Sequence, residues 1–289
     1  MDYQGNVIRP PSEAGSIILQ VTVGCSHNKC TFCGAYKEQK FAIKPDQIVA
    51  HDLDFAALHY PHINRVFLAD GDVLILPHKR LVGLFASIRK KLTGIRRIRL
   101  YGNAKSIRSK SLEELKELKA LGLDRIYMGL ESGCNQILAD IKKCSNSLQM
   151  VEAAQKVRNA GIFLSVTTLL GIGGTKLSTV HALDTAAILN RMSPNQIAAL
   201  TLMPIPGTEL YAQIEKGTFS LPDQAGLLTE LRLLVEHITI DKVQFQANHA
   251  SNYLPIDCRL QKDKSQVLLM LDQAIAGKRP LMPEYMRAL

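Results

Sequence analysis

Three cysteines stand close together near the start of the chain, in the stretch VTVGCSHNKCTFCGAY. They are Cys25, Cys30 and Cys33, spaced C-x4-C-x2-C, and the next cysteine is Cys134. Thiols clustered in this way indicate metal binding rather than a disulfide framework. A zinc site or a complete iron–sulfur site normally has four protein ligands. Three thiolates therefore predict an iron–sulfur cluster with one iron left open, where chemistry can occur.

A zinc site completed by His27 or by a remote ligand is the alternative for these thiols. Zinc sites of this size usually pair two close doublets of ligands, and the chain offers no second doublet. Cys134, Cys144 and Cys258 are scattered, so we expect them to be buried thiols without a ligand role. His27 and Asn28 lie inside the cysteine loop and are expected to shape or shield it.

Six β-rich segments alternate with helical segments through the first two thirds of the chain. Strands are predicted at 16–24, 63–72, 95–104, 123–132, 162–174 and 196–204. Helices are predicted at 44–60, 78–92, 111–122, 147–161 and 178–192. Repeated β-then-α units favour parallel strands joined by crossover helices. The predicted fold class is α/β, a partial (β/α)6 TIM-like barrel, with a doubly wound sheet as the alternative.

The pattern changes after the sixth strand. We expect a barrel domain at 1–215 and a C-terminal α/β extension at 216–289 that packs on the barrel. The extension reads as a helix at 223–238, a β-like stretch at 239–247, an irregular polar segment at 248–264 and a helix at 265–276.

The segments rich in glycine and polar residues all follow predicted strands. They are GCSHNKCTFC, DGD, NAKS, ESG, GIGG and PIPGT. In both candidate folds ligands bind at the carboxyl ends of the strands. The sequence therefore predicts one binding site along that edge, with the cysteine loop as part of it.

This set of features resembles the radical S-adenosylmethionine (SAM) superfamily over roughly residues 16–212. The usual motif of that family is C-x3-C-x2-C after the first strand, with an aromatic residue just before the last cysteine. Phe32 stands at the aromatic position, and the first gap is one residue longer here. The resemblance implies a [4Fe–4S] cluster on Cys25, Cys30 and Cys33, with SAM bound at the open iron.

The resemblance also implies which strand ends contact SAM. The segment Asp70, Gly71 and Asp72 stands where the family receives the SAM amino group. Asn103, in YGNAKS, stands in the third-strand segment that contacts SAM. Tyr101 occupies a position where this branch usually has a glutamate.

Two further segments resemble the elongator, methylthiotransferase and haem-biosynthesis branch. RIYMGLESGCNQILADIKK is similar to its Gly-x-Gln-Ser turn and a downstream arginine, which places Glu131, Ser132 and Lys143 at cofactor-binding positions. LLGIGG is similar to the fifth-strand segment that lies along the adenine, which adds Gly171.

The activity that the resemblance implies is reductive cleavage of SAM to methionine and a 5′-deoxyadenosyl radical, on an unidentified substrate. An external one-electron donor of the flavodoxin or ferredoxin kind is expected. The chain has no second cysteine-rich cluster domain, so methylthiolation is not expected. The alternative is a non-catalytic carrier of cluster and SAM, similar to a haem chaperone.

The chain carries a net charge of +9 with a pI of about 9.2, which leaves a nucleic-acid partner open. Its densest basic stretch is 89–110, in which Lys105, Arg108 and Lys110 are predicted to lie near the site. The first residues do not form a signal peptide, and no apolar run reaches the length of a membrane span. We expect a cytoplasmic protein without a membrane partner.

The polar segment NHASNYLP, at 248–255, is predicted to lie near the open side or mouth of the barrel and to help bind substrate. Its candidate contact residues are His249, Asn252 and Tyr253. His181, on a helix after the fifth strand, is expected to have only a structural role.

Overall fold

A computed structural model describes residues 1–288 of the chain. The strands are Ile17–Gln20 (β1), Thr22–Val23 (β2), Ala42–Ile43 (β3), Arg65–Ala69 (β4), Arg97–Tyr101 (β5), Leu123–Glu131 (β6), Phe163–Leu170 (β7), Gln196–Thr201 (β8), Gln244–Gln246 (β9) and Asp257–Arg259 (β10). The helices are Asp46–His59 (α1), His78–Lys91 (α2), Ala104–Arg108 (α3), Leu112–Ala120 (α4), Asn135–Asp140 (α5), Ser147–Asn159 (α6), Gly174–Met192 (α7), Glu209–Glu215 (α8), Gln224–His237 (α9) and Lys264–Ile275 (α10).

Eight of these strands form one mainly parallel sheet, in the order β1-β4-β5-β6-β7-β8-β9-β10. The register starts with Ile17 opposite Val66 in the parallel pair β1–β4. The order follows the chain without a reversal, whereas a doubly wound sheet reverses at a switch point. The α/β class with TIM-like strand order is therefore confirmed.

The C-terminal extension lengthens this sheet. Strand β9 pairs in parallel with β8, with Gln244 opposite Gln196, and β10 returns antiparallel to β9. The predicted strand at 239–247 is only three residues long, because Lys242 adopts a left-handed conformation just before it. The prediction that 248–264 is irregular was partly wrong, since this segment contains β10.

The predicted first strand, 16–24, is two strands. After β1 the chain turns so that β2 pairs antiparallel with β3, with Val23 opposite Ala42, in a small separate sheet. Strand β3 was not predicted, because it is only two residues long and both of them are exposed. Gly24 then has a φ of +73°, a conformation that favours glycine, and leads directly into the cysteine loop.

Local sequence signals set several helix ends. Helix α4 begins with a capping box, in which Ser111 accepts from Glu114 N and the Glu114 side chain accepts from Ser111 N. Thr208 caps α8. The short helices α3 and α5 were not predicted, because five or six residues carry too little periodicity to stand out.

The chain divides into two compact units. Unit 1 comprises Met1–Lys29, Ala35–Met128 and Gln155–Leu164. Unit 2 comprises Cys30–Gly34, Gly129–Ala154 and the chain from Ser165 onward. No helix within residues 1–288 combines the length and apolar character needed to cross a bilayer.

Unit 1 has aromatic and ionic packing within its strands. The rings of Phe67, Tyr101 and Tyr127 meet edge to face, with centroids 5.1 to 6.0 Å apart. Arg99 is buried and pairs with Glu13 at 2.9 Å, so it does not belong to a basic surface. Lys110 is also buried and donates to Leu76 O at 2.8 Å, so these two residues of the basic stretch are committed to internal contacts.

Unit 2 has an apolar core that includes part of the cysteine loop. Buried side chains from α5, β7, α8 and the segments beside them form it, and Phe32 packs against them. The aromatic residue of the motif is therefore a packing residue in this chain.

Candidate functional site

The first part of the cysteine loop is fixed within unit 1. Asn28 has a φ of +44°, and its side chain donates to Tyr36 O at 2.7 Å and to Gln39 O at 3.3 Å. A side chain at Gly71 would lie 3.1 Å from Cys25 Cβ, so only glycine fits beside this cysteine without a shift. Asn28 thus shapes the loop as expected, and Gly71 leaves room for Cys25.

The second part of the loop is fixed within unit 2. Cys33 N donates to Cys30 O at 3.4 Å, which closes a turn between the two cysteines. Thr31 N donates to Ile141 O at 3.1 Å, and Thr31 O accepts from Leu210 N at 3.0 Å. The backbone around Cys30 and Cys33 is therefore held by α8 and by the segment after α5.

The donor set fits an iron–sulfur cluster in kind. Within residues 1–288 none of the six cysteines is in a disulfide, and Cys25, Cys30 and Cys33 are all half-buried. The same residues contain no group of three or more His, Cys, Asp or Glu side chains placed closely enough to hold a metal ion. The ligand assignment therefore rests on the type and spacing of the three thiols. Cys134 is buried as expected, whereas Cys144 and Cys258 are half-buried, contrary to the prediction.

Asp70 follows β4 and is completely buried. Its Oδ2 accepts from Gln20 Nε2 at 2.7 Å and from Gly24 N at 3.3 Å. Its Oδ1 has no hydrogen-bond partner among the described residues. Burial raises the pKa of Asp70 to about 6, although these hydrogen bonds partly oppose the shift. The carboxyl group therefore retains an unused acceptor.

Asp72 has a different environment from Asp70. Its Oδ2 accepts from Ser26 Oγ at 2.6 Å and from Asn103 Nδ2 at 2.7 Å. Its Oδ1 accepts from Ser106 Oγ at 2.5 Å and from Asn103 N at 3.4 Å. Burial raises the pKa of Asp72 despite these bonds. Protein donors occupy both carboxylate oxygens of Asp72. Neither oxygen is left to accept a hydrogen bond from the amino group or the ribose of SAM.

The side chain of Asn103 is likewise fully used in hydrogen bonds within the protein. It is the N-cap of α3, where its Oδ1 accepts from Ser106 N at 2.8 Å while its Nδ2 donates to Asp72. The structure thus brings Asp72 and Asn103 together, as two members of one network rather than as two open side chains.

Glu131 ends β6 with a φ of +63°, an uncommon conformation for a residue with a side chain. Its Oε1 accepts from Lys143 Nζ at 2.8 Å, and its backbone oxygen accepts from Thr168 Oγ1 at 3.0 Å. Burial is the largest influence on the pKa of Lys143 and lowers it. The charge of Glu131, its hydrogen bond with Lys143 and the nearby Cys30 and Cys144 together outweigh burial, so the net shift is upward. Two predicted cofactor residues, Glu131 and Lys143, therefore form one ion pair.

Ser132 and Gly171 both connect to buried groups on helices. Ser132 Oγ lies 2.8 Å from His181 Nδ1, and Gly171 N donates to Glu230 Oε1 at 2.6 Å. Burial lowers the pKa of His181 to about 4 and raises the pKa of Glu230 to about 7. His181 is thus a buried, neutral residue at physiological pH, with a place in a polar network that sequence reasoning did not anticipate.

The polar segment 248–255 lies at the carboxyl end of β8. Asn252 is buried, its Oδ1 accepts from Thr201 Oγ1 at 2.8 Å and its Nδ2 donates to Ala199 O at 2.9 Å. Tyr253 donates to Glu284 at 2.5 Å. The segment thus packs against the end of β8, where Asn252 anchors it. Its predicted place at the open side or mouth of the barrel stays a prediction.

Sequence reasoning missed the residues that hold the predicted ones in place. They are Gln20, Ser26, Ser106, Thr168 and Glu230. Glu230 alone gave a signal, because it is an acidic residue within the apolar run GLLTELRLLV of a predicted helix. The others are ordinary polar residues whose partners lie far away in the sequence.

Comparison with known proteins supplies a family for the chain. The model of the radical SAM superfamily matches residues 19–186, which is more than half of the chain. The matched region contains all three cysteines of the motif and every predicted cofactor residue from Asp70 to Gly171.

Two curated relatives match part of the chain. The heme chaperone HemW of Bacillus subtilis is 23% identical over 166 residues, which cover 57% of this chain and 43% of that protein. The tRNA uridine(34) acetyltransferase of Methanocaldococcus infernus is 24% identical over 110 residues, covering 38% of this chain and 21% of that protein. The chain thus matches less than half of the length of either relative.

A solved structure shares the fold. The radical SAM methyltransferase TsrM of Kitasatospora setae, solved with cobalamin and a [4Fe–4S] cluster, superposes with a TM-score of 0.57 at 16% identity. The match covers 70% of this chain and 39% of that one. At this identity the likeness concerns the fold, which agrees with the strand order described above.

Proposed function

Since this chain belongs to the radical SAM superfamily, we propose that it is an enzyme that starts radical chemistry on a substrate still to be identified. Its cofactors are a [4Fe–4S] cluster and SAM. Held by Cys25, Cys30 and Cys33, a reduced cluster would supply one electron to SAM, whose C5′–S bond would break to give methionine and a 5′-deoxyadenosyl radical. The proposal rests on one observation: the three clustered thiols lie within the region that the family model matches, and none of them is in a disulfide.

The cluster ligands in this proposal are Cys25, Cys30 and Cys33. Three thiolates leave one iron for the amino and carboxylate groups of SAM. The backbone at Gly71 receives the amino group, and the Asp72–Asn103 network holds that segment in place. Asp70, which is completely buried, holds the same segment by accepting from Gln20 and Gly24.

The remaining cofactor contacts lie in unit 2. Glu131 accepts from the ribose hydroxyls, and Lys143 fixes the orientation of its carboxylate. Ser132 shapes the turn after β6, and Gly171 gives the segment along the adenine its left-handed backbone conformation. Lys143 contacts SAM only through Glu131 in this arrangement.

The domain organisation, partners and location follow from the same proposal. A barrel at 1–215 carries the cofactors, and the extension at 216–289 contributes His249 and Tyr253 to substrate binding. An external flavodoxin- or ferredoxin-like donor supplies the electron. The six thiols outside disulfides favour the reducing cytoplasm.

The decisive experiment is anaerobic reconstitution of the cluster, followed by incubation with SAM and dithionite. We expect 5′-deoxyadenosine and methionine, and about four irons per chain, as in a [4Fe–4S] cluster. The triple variant Cys25→Ala, Cys30→Ala, Cys33→Ala is the control and should lose both the iron and the products. If the variant keeps its iron, the cluster lies elsewhere.

A carrier function is the second candidate, and the similarity to the heme chaperone HemW favours it. A carrier that binds cluster and SAM without catalysis would keep its iron and its SAM affinity but release no 5′-deoxyadenosine. Nucleic-acid modification is a weaker candidate, supported by the net charge and the partial match to a tRNA-modifying enzyme. RNA affinity that falls steeply with salt would support it.

A further inference from the structure

A chain of buried polar side chains runs through unit 2 beneath two of the proposed SAM segments. Its members Glu230, His181, Ser132 and Thr185 are each at most 2% exposed. Glu230 belongs to α9, beside the buried leucines Leu228 and Leu231. A carboxyl group in such surroundings costs free energy unless it is hydrogen-bonded, so its partners are informative.

Glu230 holds the end of β7. Its Oε1 accepts from Gly171 N at 2.6 Å, and its Oε2 accepts from Ser178 Oγ on α7 at 2.5 Å. Gly171 has a φ of +82°, so it has left the strand conformation at this point. A side chain there would also lie 2.9 Å from Leu227. The carboxylate therefore fixes the backbone at the point where the chain leaves β7.

His181 hydrogen-bonds the turn after β6 through Nδ1, while its Nε2 faces Glu230 without a hydrogen bond. Its Nε2 lies 3.5 Å from Glu230 Oε1, and its Nδ1 lies 2.8 Å from Ser132 Oγ. We place the proton on Nε2, because that nitrogen faces the carboxylate. Nδ1 is then an acceptor for the Ser132 hydroxyl.

The turn after β6 is held closely against α7. Cys134 N donates to Ser132 Oγ at 3.1 Å, and Gly133 N donates to Thr185 Oγ1 at 2.9 Å. A side chain at Gly133 would lie 2.2 Å from Asp184 O, so this turn packs directly on the helix backbone. The turn has no freedom to move without α7.

We propose that Glu230 and His181 are positioning residues that set the turn after β6 and the end of β7 for SAM binding. Both residues act through specific contacts and not only through packing. Glu230 accepts from Gly171 N at the end of β7, and His181 accepts from the Ser132 hydroxyl in the turn after β6. This inference rests on the proposed function, since it takes those two segments as the ribose and adenine sites.

The test is the affinity of the cluster-loaded protein for SAM, measured by anaerobic equilibrium titration. Glu230→Ala leaves Gly171 N without its acceptor and should weaken SAM binding about tenfold, the typical effect of an unsatisfied buried donor. Glu230→Gln keeps an oxygen for Gly171 and should stay within about twofold of the unmodified protein. His181→Asn, which keeps an acceptor for Ser132 but loses the group facing Glu230, should lie between them.

The matched control is Leu234→Ala, which removes a buried apolar side chain, and no hydrogen-bonding group, from the same helix. It should lower the melting temperature and leave the SAM affinity unchanged. If Glu230→Ala fails to fold, Ser178→Ala tests the same carboxylate by removing its other donor. Equal SAM affinity in Glu230→Ala and Leu234→Ala, with cluster content intact, overturns the inference. If the unmodified protein binds no SAM, the proposed function fails instead.

Discussion

Asp72 in unit 1 and Glu131 in unit 2 are both buried carboxylates at strand ends, but different kinds of partner hold them. Asp72 accepts four hydrogen bonds from hydroxyl and amide groups of Ser26, Asn103 and Ser106. Glu131 pairs with the ammonium group of Lys143. Neutral donors orient a carboxylate, but they do not cancel its charge, and burial therefore raises the pKa of Asp72.

This difference in hydrogen-bond partners gives the two carboxylates different roles. A carboxylate whose oxygens are all occupied can only organise its surroundings, and Asp72 ties the β4 end to the cap of α3. A carboxylate held by one lysine at one oxygen keeps acceptor capacity on the other. Glu131 is thus suited to bind a ligand, and Asp72 is suited to build the segment that does.

The largest expected effect comes from breaking the network of unit 1. Asp72→Ala leaves one buried and three partly buried donors without their acceptor and should lower the free energy of unfolding by about 3 kcal/mol. Asp72→Asn keeps the shape and one acceptor oxygen and should cost about half as much. Urea unfolding under anaerobic conditions measures both. A loss below about 1 kcal/mol for Asp72→Ala would mean that the network does not organise this unit.

Removing Glu131 tests the second carboxylate of this comparison, the one suited to bind a ligand. Glu131→Ala should weaken SAM binding by about 1 to 3 kcal/mol and also destabilise the fold, because it leaves Lys143 unpaired. The double variant Glu131→Gln, Lys143→Met removes the stranded charge, so it should recover stability but not SAM affinity. An anaerobic titration in which Glu131→Ala binds SAM normally would exclude Glu131 from the site.

The pH dependence of stability tests a third carboxylate, Glu230, which faces Gly171 N, Ser178 and His181. Its folded-state pKa of about 7 lies above the ordinary value of 4.5, so the folded protein holds this proton more tightly. The stability that it contributes is present at low pH and is lost as the pH rises through 7. Relative to Glu230→Gln, the protein should lose about 1 kcal/mol between pH 6.5 and 8.

His181, the neighbour of Glu230, is present in both proteins, so its own titration cancels in their difference. Burial lowers its pKa from the ordinary 6.5 to about 4, and the resulting change of stability with pH has the opposite sign to that of Glu230. The difference between the two proteins is followed by thermal unfolding at each pH. A constant difference across the window would place the Glu230 pKa near its ordinary value.

The smallest effect is expected at an exposed helix cap. Ser111→Ala removes the capping box of α4 and should cost about half a kcal/mol, with SAM affinity unchanged. Asn103 also caps a helix, but it donates to Asp72 as well, so Asn103→Ala should cost clearly more. Equal costs for the two variants, from urea unfolding, would show that the Asp72 network adds nothing to the cap.

The proposed role of the polar segment 248–255 in substrate binding is best tested with point variants, because a deletion would also remove structural contacts. Helix α10 packs on α9, and β10 pairs with β9, so removing the end of the chain would expose the core of unit 2. His249→Ala and Tyr253→Phe leave this packing in place. Asn252 is a poor choice, because its two hydrogen bonds anchor the segment on β8.

Much of the fold was predictable because its signals are local. Hydrophobic runs gave the six barrel strands, and Ser111 with Glu114 gave the start of α4. The elements that were missed, such as β3, β10 and α3, are two to five residues long and lie below the length at which a pattern is visible. Strand β3 depends on its pairing with β2 rather than on its own residues.

The sequence by itself determined the cysteine spacing, the succession of strands and helices along the chain and the positions of the polar strand-end segments, because each depends on residues close together in the chain. The order of the strands within the sheet came from the tertiary structure. Only the tertiary structure decided which of those residues stay open to a ligand. Ser26 lies 46 positions from Asp72, and Glu230 lies 59 positions from Gly171. Packing brings such groups together, and no periodicity or local propensity records it. The same buried carboxylate therefore becomes a ligand group or a structural one according to neighbours that are distant in sequence.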